Sequence, residues 1–285
     1  MIIDFHTHIL PPWLREQRQR YLAQDSTFRA LYSNPKTQIA TAEDLLAGMK
    51  VSGVDVAVVM GIGWKDAGLA REVNDYVIEV CRRYPDKLVG FSSVNPAWGE
   101  AAALEAERCA QAGLRGVGEL HPDIQGFDLG EKETMMALAQ VARAYRSILL
   151  VHSSEPIGHT YEGKGMTTPE VLWRFIQIFP DLVVVCAHWG GGLPFYALMP
   201  EVGQALGNTY FDSAASPFLY RPKVFASVAK LVGSARILFG SDYPLVSQDR
   251  LIRQVRGCGL SLSDQDAILG KNAARLLELS PGTVA

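Results

Sequence analysis

Six residues of types that bind metal ions stand directly after short apolar runs of the chain. They include four of the six histidines, and the full set is His6, His8, Glu119, His152, His188 and Asp242. Imidazole nitrogens and carboxylate oxygens, with no cysteine in the set, are typical of a catalytic divalent ion with an open coordination position. The residue types therefore predict a catalytic metal centre, with zinc or a similar ion, that activates water or polarises a substrate.

The apolar runs that precede these residues are predicted β-strands. Eight runs, many of them rich in β-branched residues, lie at residues 2–5, 54–60, 88–94, 114–120, 148–151, 182–187, 209–211 and 237–239. Most are continuous rather than alternating, which is typical of strands buried on both faces of a parallel sheet. Apolar residues at helical spacing occupy residues 42–51, 67–84, 100–112, 132–145, 169–179 and 223–232, and two more predicted helices follow at 248–257 and 263–279.

This order of elements predicts an α/β fold, a single (β/α)8 TIM-like barrel domain that spans residues 1–285. Eight strand–helix units fit a chain of 285 residues, and no Pro/Gly/Ser-rich linker divides it. A doubly wound open sheet is the alternative, and the lack of a GxGxxG sequence after any strand argues against its dinucleotide-binding form. In a barrel the carboxyl ends of the strands meet at one mouth, so the six candidate ligands would converge there.

Two connections are too long to be simple turns. Residues 9–41 follow the first predicted strand and residues 153–168 follow the fifth, where long barrel loops cover active sites. Both are candidate active-site lids. Arg221 and the arginines of the first connection could pair with a substrate carboxylate, although solvated charge is the commoner role. His121, two residues beyond Glu119, is predicted to be a surface histidine in a turn.

Charge and cysteine content limit the partners and the compartment. Lys and Arg number 27 against 30 Asp and Glu, a formal net charge of −3 without a basic block, which argues against a nucleic-acid partner. The four cysteines are widely spaced without a CxxC pair and predict reduced thiols; they are Cys81, Cys109, Cys186 and Cys258. The first residues, with Asp4 and His6, do not have the basic start and apolar run typical of a signal peptide, and no apolar stretch reaches membrane-spanning length. We expect a cytoplasmic protein that acts on a small molecule away from membranes, and a homo-oligomer is compatible with the sequence.

Five short motifs lie at the predicted strand ends and near the end of the chain. They are Asp4-Phe5-His6-Thr7-His8, Val151-His152, Ala187-His188-Trp189-Gly190-Gly191, Gly240-Ser241-Asp242-Tyr243-Pro244 and Asn272-Ala273-Ala274-Arg275-Leu276. From residue 2 to about residue 277, their order resembles the amidohydrolase superfamily, particularly its amidohydrolase-related (amidohydrolase 2) branch. That branch includes the aminocarboxymuconate-semialdehyde and γ-resorcylate decarboxylases.

The resemblance implies roles for individual residues. His6, His8, His152 and Asp242 would hold a metal ion, while His188 would act as an acid or base beside it or ligate a second ion. Glu119 departs from the pattern of most decarboxylase-like members, which carry no acidic ligand at the fourth strand, whereas two-metal hydrolases place a bridging carboxylate or carboxylated lysine there. Glu119 either bridges two ions or orients a histidine ligand.

Glu119 decides the order of the functional hypotheses. The first is a metal-dependent hydrolase in which Asp242 or His188 transfers protons while activated water cleaves an amide, lactone or ester. The alternative is a metal-dependent, non-oxidative decarboxylase of a small aromatic or unsaturated carboxylic acid, with the same residues protonating carbon. An inactive barrel that serves as a binding protein is disfavoured because every expected ligand position is filled. A TatD-like nuclease would fit Glu119 but not the acidic charge balance.

Overall fold

The chain folds as eight parallel strands joined by helical connections, in a computed structural model that describes residues 1–161 and 163–279. The strands are β1 (Ile3–His8), β2 (Val56–Met60), β3 (Leu88–Ser92), β4 (Gly116–Leu120), β5 (Ile148–Val151), β6 (Val184–Cys186), β7 (Thr209–Asp212) and β8 (Ile237–Leu238). They form one sheet in the order β1 to β8. The eight predicted strands and the TIM-like (β/α)8 fold are confirmed, with strand ends displaced by a few residues.

Helices occupy the connections where helical spacing predicts them. These helices are Ala42–Ser52, Ala67–Arg83, Glu100–Gln111, Lys132–Tyr145, Pro169–Ile178, Val224–Val232 and Gln248–Arg256, followed by Leu262–Asp266, a π-helical turn at Ala267–Lys271, and Asn272–Leu276. Shorter helices lie at Pro122–Gln125, Pro200–Ala205 and Ser216–Leu219, and β6 is followed by a turn at Ala187–Gly190 in which His188 and Trp189 have left-handed φ values of 54° and 61°. The Ala42–Ser52 helix begins at a capping box between Thr41 and Asp44 and ends at Gly53, whose φ of 71° suits glycine.

Backbone hydrogen bonds between β1 and the chain around β8 join the two edges of the sheet. The Phe5 amide donates to the Phe239 carbonyl at 2.7 Å, and the Asp242 amide donates to the His6 carbonyl at 2.9 Å. Alternate strand residues fill the interior, where the rings of Phe5 and Phe91 meet edge to face at 5.7 Å. The strand ends are therefore held around a packed core, as the functional mouth of a barrel requires.

The connection at residues 9–41 is helical, although the sequence predicts only a long connection there. It contains the helices Pro12–Glu16, Arg18–Gln24 and Ser26–Tyr32. Asp25 caps the third of these by accepting from the Phe28 amide at 2.9 Å, and its other oxygen accepts from the Lys65 and Asp66 amides. Phe28 stacks on the buried ring of Trp64. Contacts with the β2 connection therefore stabilise helices that are too short to form by themselves.

All four cysteines are free, and Cys109 and Cys186 are buried. Among the described residues, no helix has the length and apolar character needed to cross a membrane.

Candidate metal centre

His6 and His8 both reach the mouth from the end of β1, as their spacing of two predicts. Phe5 packs in the barrel interior, so strict alternation would have turned its neighbour His6 away from it. The pairing of β1 with β2 changes register between Asp4 and Thr7. This irregularity reorients the strand, and both imidazoles are buried at its end.

Three imidazole rings have their Nδ1 atoms engaged by acceptors that carry no proton to donate. The acceptors are the Asp212 carboxylate for His6 (2.8 Å), the Gly61 carbonyl for His8 (2.7 Å) and the Ala214 carbonyl for His188 (3.2 Å). Each Nδ1 must therefore carry hydrogen. In the neutral ring this leaves the lone pair of Nε2 free to bind a metal ion. The Nε2 atoms of His6 and His8 lie 3.0 Å apart, close enough to share one ion.

Glu119 lies between the two pairs of histidines. Its Oε1 is 3.0 Å from His152 Nδ1 and 3.2 Å from His188 Nε2. Its Oε2 is 3.8 Å from His6 Nε2 and 3.7 Å from His8 Nε2. Two groups of possible ligand atoms, each within 4.8 Å of one another, therefore share this carboxylate: one with His6 and His8, the other with His152 and His188.

Asp242 completes the set of six predicted residues, which the structure brings together. Its Oδ1 is 3.3 Å from His8 Nε2 and 3.8 Å from His6 Nε2. Asp242 and His188 have φ values of 66° and 54°, in the left-handed region that residues with a side chain seldom adopt. Strained backbone of this kind is frequent at functional sites, and it persists only where the surrounding fold stabilises it.

The carboxylates favour positive charge on the neighbouring rings. Burial opposes charge on His6, but Asp212, Glu119 and Asp242 together raise the pKa of His6 to about 10. Burial is likewise outweighed at His188, where Glu119 raises the pKa to about 9. The histidines in turn hold the pKa of Glu119 well below its ordinary value despite its burial. The centre is therefore built to stabilise a cation, and a proton and a metal ion would compete for the same Nε2 atoms.

Asp212, at the end of β7, belongs to the centre although the sequence analysis missed it. Besides contacting His6, its carboxylate accepts from the backbone amides of His188 and Ala214, both at 3.0 Å. One buried acid thus positions a ring from β1 and the turn after β6. Its place directly after the seventh predicted strand is the signal that could have found it. Gly240 leaves room for this contact, since a Cβ there would lie 2.8 Å from the His6 Cβ.

The prediction that His121 is a surface histidine is wrong. The side chain is 3% exposed, and its ring stacks on that of His152 with centroids 3.9 Å apart and planes at 11°. Its Nε2 donates to the Gly163 carbonyl at 2.8 Å, so the connection after β5 covers it. Burial, together with the neighbouring His152, lowers the pKa of His121 to about 3.

A cavity of about 670 Å³ opens above the centre. His8, Glu119, His152, His188 and Asp242 line it. The connections after β1, β5 and β7 contribute Leu31, Tyr32, Asn34, Lys36, Thr37, Gln38, His159, Tyr161, Gly163, Ala215, Phe218 and Leu219, and those after β2, β4 and β8 contribute Ile62, Gly63, His121, Pro244 and Leu245. Both predicted lid connections therefore contribute to the wall.

The arginines proposed to meet a substrate carboxylate have other surroundings. Arg15 pairs with Asp44, and Arg18 donates to backbone carbonyls of its own connection. Arg221 is exposed and is not among the residues that line the cavity in the described part of the chain.

Comparison with protein families identifies the group to which this fold and its ligands belong. Residues 3–279 match the sequence model of the amidohydrolase family. The chain belongs to the amidohydrolase family. The resemblance inferred from the motifs is thereby confirmed.

The chain is also similar to curated relatives in sequence and to solved structures in fold. The chain is 23% identical, over 98% of its own length and 92% of the relative's, to 2-amino-3-carboxymuconate-6-semialdehyde decarboxylase of Dictyostelium discoideum. It is 24% identical to 6-methylsalicylic acid decarboxylase of Penicillium expansum, over 88% and 87% of the two chains. It is similar in fold to 5-carboxyvanillate decarboxylase of Novosphingobium aromaticivorans in complex with manganese, with a TM-score of 0.81, 19% identity and coverage of 98% and 96%.

Proposed function

We propose that this amidohydrolase-family enzyme is a metal-dependent decarboxylase of a small aromatic or unsaturated carboxylic acid. The observation that carries the proposal is the buried set of imidazoles and carboxylates at the floor of the cavity. The relatives support decarboxylation, the alternative from sequence, rather than the hydrolysis that was placed first on the ground of Glu119. A likeness in fold does not fix a reaction, so the relatives set the order of the hypotheses and experiment must decide.

The donor set fits a divalent ion. His6 and His8 offer Nε2 and Asp242 offers a carboxylate oxygen beside them, while His152 offers Nδ1 next to Glu119. When bound, the ion would supply positive charge that holds the substrate's oxygens and stabilises negative charge developing there. Mixed nitrogen and oxygen ligands suit both zinc, which the sequence predicts, and manganese, which the 5-carboxyvanillate decarboxylase contains. Metal analysis of the purified protein decides between them.

His188 and Asp242 are the proposed proton donors. In a non-oxidative decarboxylation the bond between carbon and the carboxylate breaks, carbon dioxide leaves, and the electron pair stays on the carbon. That carbon then takes a proton from an acid within reach. Both residues line the cavity, and the 9–41 and 153–168 connections are the proposed lids that exclude water from it.

Hydrolysis is the second candidate, because Glu119 contacts both histidine pairs as a bridging carboxylate would. Isotopes separate the two reactions. Metal-loaded protein is incubated with 6-methylsalicylate, 2,6-dihydroxybenzoate and 5-carboxyvanillate, and in parallel with amides and lactones. Decarboxylation in D2O places deuterium on the carbon that lost its carboxylate, whereas hydrolysis in H2(18)O places labelled oxygen in the new acid. Labelled acid without any deuterated product would overturn the proposal in favour of hydrolysis.

The metal itself is tested by composition. We expect the purified protein to contain a divalent ion and the His6→Ala/His8→Ala double variant to lose it. An undiminished metal content in the double variant would place the ion elsewhere.

A further inference from the structure

Ser154 links His152 to the connection that follows β5. Its buried Oγ lies 3.2 Å from His152 Nε2 and accepts from the Gly165 amide at 3.0 Å. The Ser154 amide also donates to the Thr167 carbonyl at 2.9 Å. Ser154 therefore makes hydrogen bonds to residues 163–167, hereafter the 163–167 segment, and also contacts Nε2 of His152.

His121 makes a second, independent link between the same partners. Its ring stacks on His152, and its Nε2 donates to the Gly163 carbonyl. Asp123, on the same turn, accepts from the Met166 amide at 2.6 Å. The 163–167 segment thus rests on the turn after β4 at one side and on Ser154 at the other.

The hydrogen positions on His152 join these contacts to the metal centre. His152 presents Nδ1 to the ligand group that contains Glu119. A neutral imidazole that ligates through Nδ1 carries its hydrogen on Nε2 and donates it outward, which fixes the ring's orientation. Ser154 Oγ is the acceptor at that position, and it has a second lone pair for the Gly165 amide.

We propose that Ser154 and His121 are positioning residues that couple the 163–167 segment to His152, so that metal binding and ordering of this segment are thermodynamically linked. The inference rests on the metal site of the proposed function and adds to it a connection between the ion and the cavity wall, to which Gly163 belongs. Linkage is reciprocal: an ion that orders the segment is bound more weakly when the segment is released.

Trypsin reports the state of the segment without any measurement of activity. The bond between Lys164 and Gly165 lies inside it, and the Lys164 ammonium is engaged with the carbonyls of Ile157 and His159. Cleavage at this bond requires the segment to leave its contacts. We expect manganese or zinc to slow cleavage after Lys164 by at least about fivefold, relative to cleavage after the exposed Lys132.

Two variants break the links separately. Ser154→Ala removes the acceptor for His152, and His121→Phe keeps an aromatic ring on His152 but removes the bond to Gly163. Both should weaken metal binding, Ser154→Ala by about tenfold, and reduce the protection that metal gives at Lys164. Ser153→Ala is the matched control, because the buried Ser153 hydroxyl bonds the Val151 carbonyl instead. Circular dichroism checks that each variant is folded.

The outcomes separate this inference from the proposed function. Metal that binds the wild type but leaves the rate at Lys164 unchanged overturns the coupling. So does a folded pair of variants, Ser154→Ala and His121→Phe, with normal metal affinity and full protection. Failure of the wild type to bind metal removes both the coupling and the metal site. Coupling observed in a protein that decarboxylates none of the acids supports the inference while the reaction assignment fails.

Discussion

Asp212→Asn tests whether the centre depends on the orientation of His6. The carboxylate accepts from three donors: the His6 ring and the amides of His188 and Ala214. An asparagine has one acceptor oxygen and one NH2 group, so it cannot satisfy all three. If its oxygen keeps the two amides, the NH2 faces Nδ1 and drives the His6 hydrogen to Nε2, where the ion should bind. If its oxygen instead accepts from His6, the buried amides of His188 and Ala214 face the NH2 group and lose their acceptor.

Either arrangement weakens the ligand set without removing a ligand. Loss of a partner that orients a metal-bound histidine costs about 10- to 100-fold in metal affinity. This range corresponds to about 1.4 to 2.7 kcal/mol. We therefore expect Asp212→Asn to bind manganese or zinc about 10- to 100-fold more weakly than the wild type. Competition with a chromophoric chelator at neutral pH measures this affinity.

A matched acid serves as the control. Asp55 accepts from the Ile2 amide at the opposite end of β1, far from the mouth, so Asp55→Asn should bind metal normally. Thermal unfolding establishes that both variants are folded. Wild-type metal affinity in folded Asp212→Asn would refute the argument that this carboxylate holds His6 in its ligating form.

Four further outcomes are expected. Glu119→Gln separates the two candidates by metal content: bridging, the basis of the hydrolysis candidate, requires the content to fall from nearly two ions to one and activity to drop, because the amide lacks the charge that holds two cations together. One ion in both forms excludes bridging and agrees with the single ion proposed above. His188→Ala should lower turnover at least about a hundredfold and keep one ion, and near-normal turnover would exclude an acid role. Arg18→Met should raise KM about tenfold, since Arg18 donates to four carbonyls of residues 32–37 beside the cavity, and an unchanged KM would show that this brace is dispensable. Chelator-treated protein should lose stability as pH rises from 7 to 10, because His6 and His188 have folded pKa values of about 10 and 9. Their protonated rings contribute fully to the free energy of unfolding below pH 6.5, and this contribution is lost as the pH rises through the folded pKa values. Thermal unfolding should show a smaller loss with metal bound.

The sequence predicts the barrel and the convergence of six residues because both depend on local patterns. Continuous apolar runs identify the strands, and the position of His152 or Asp242 after a run places it at the mouth. Asp212 obeys the same rule and is recoverable from it. The spacing of His6 and His8 predicts that both rings share one face of β1, but the register shift that turns this face to the mouth is not visible in the sequence.

What the sequence does not predict depends on contacts between distant segments. His121 is covered by the 163–167 segment and by the His152 ring, and nothing near residue 121 encodes those contacts. The helices of the first connection likewise need Trp64 and the β2 connection against them. Loop conformation also shapes the cavity and hence the choice of substrate, so Glu119 alone does not determine the reaction. The preference for hydrolysis drawn from it is not supported by the relatives, which are decarboxylases.

An ion in the proposed centre would link the two ends of the fold at the junction between β1 and β8. β8 has only two residues, and the buried Asp4 carboxylate joins the edges through the Ser241 amide and hydroxyl and the Gln248 side chain. An ion bound by His6 and Asp242 would cross-link the same junction and close almost the whole chain into a ring, as a disulfide does. Metal release would then end activity and also shorten the lifetime of the folded protein. Metal-free protein would unfold and be degraded sooner than metal-bound protein.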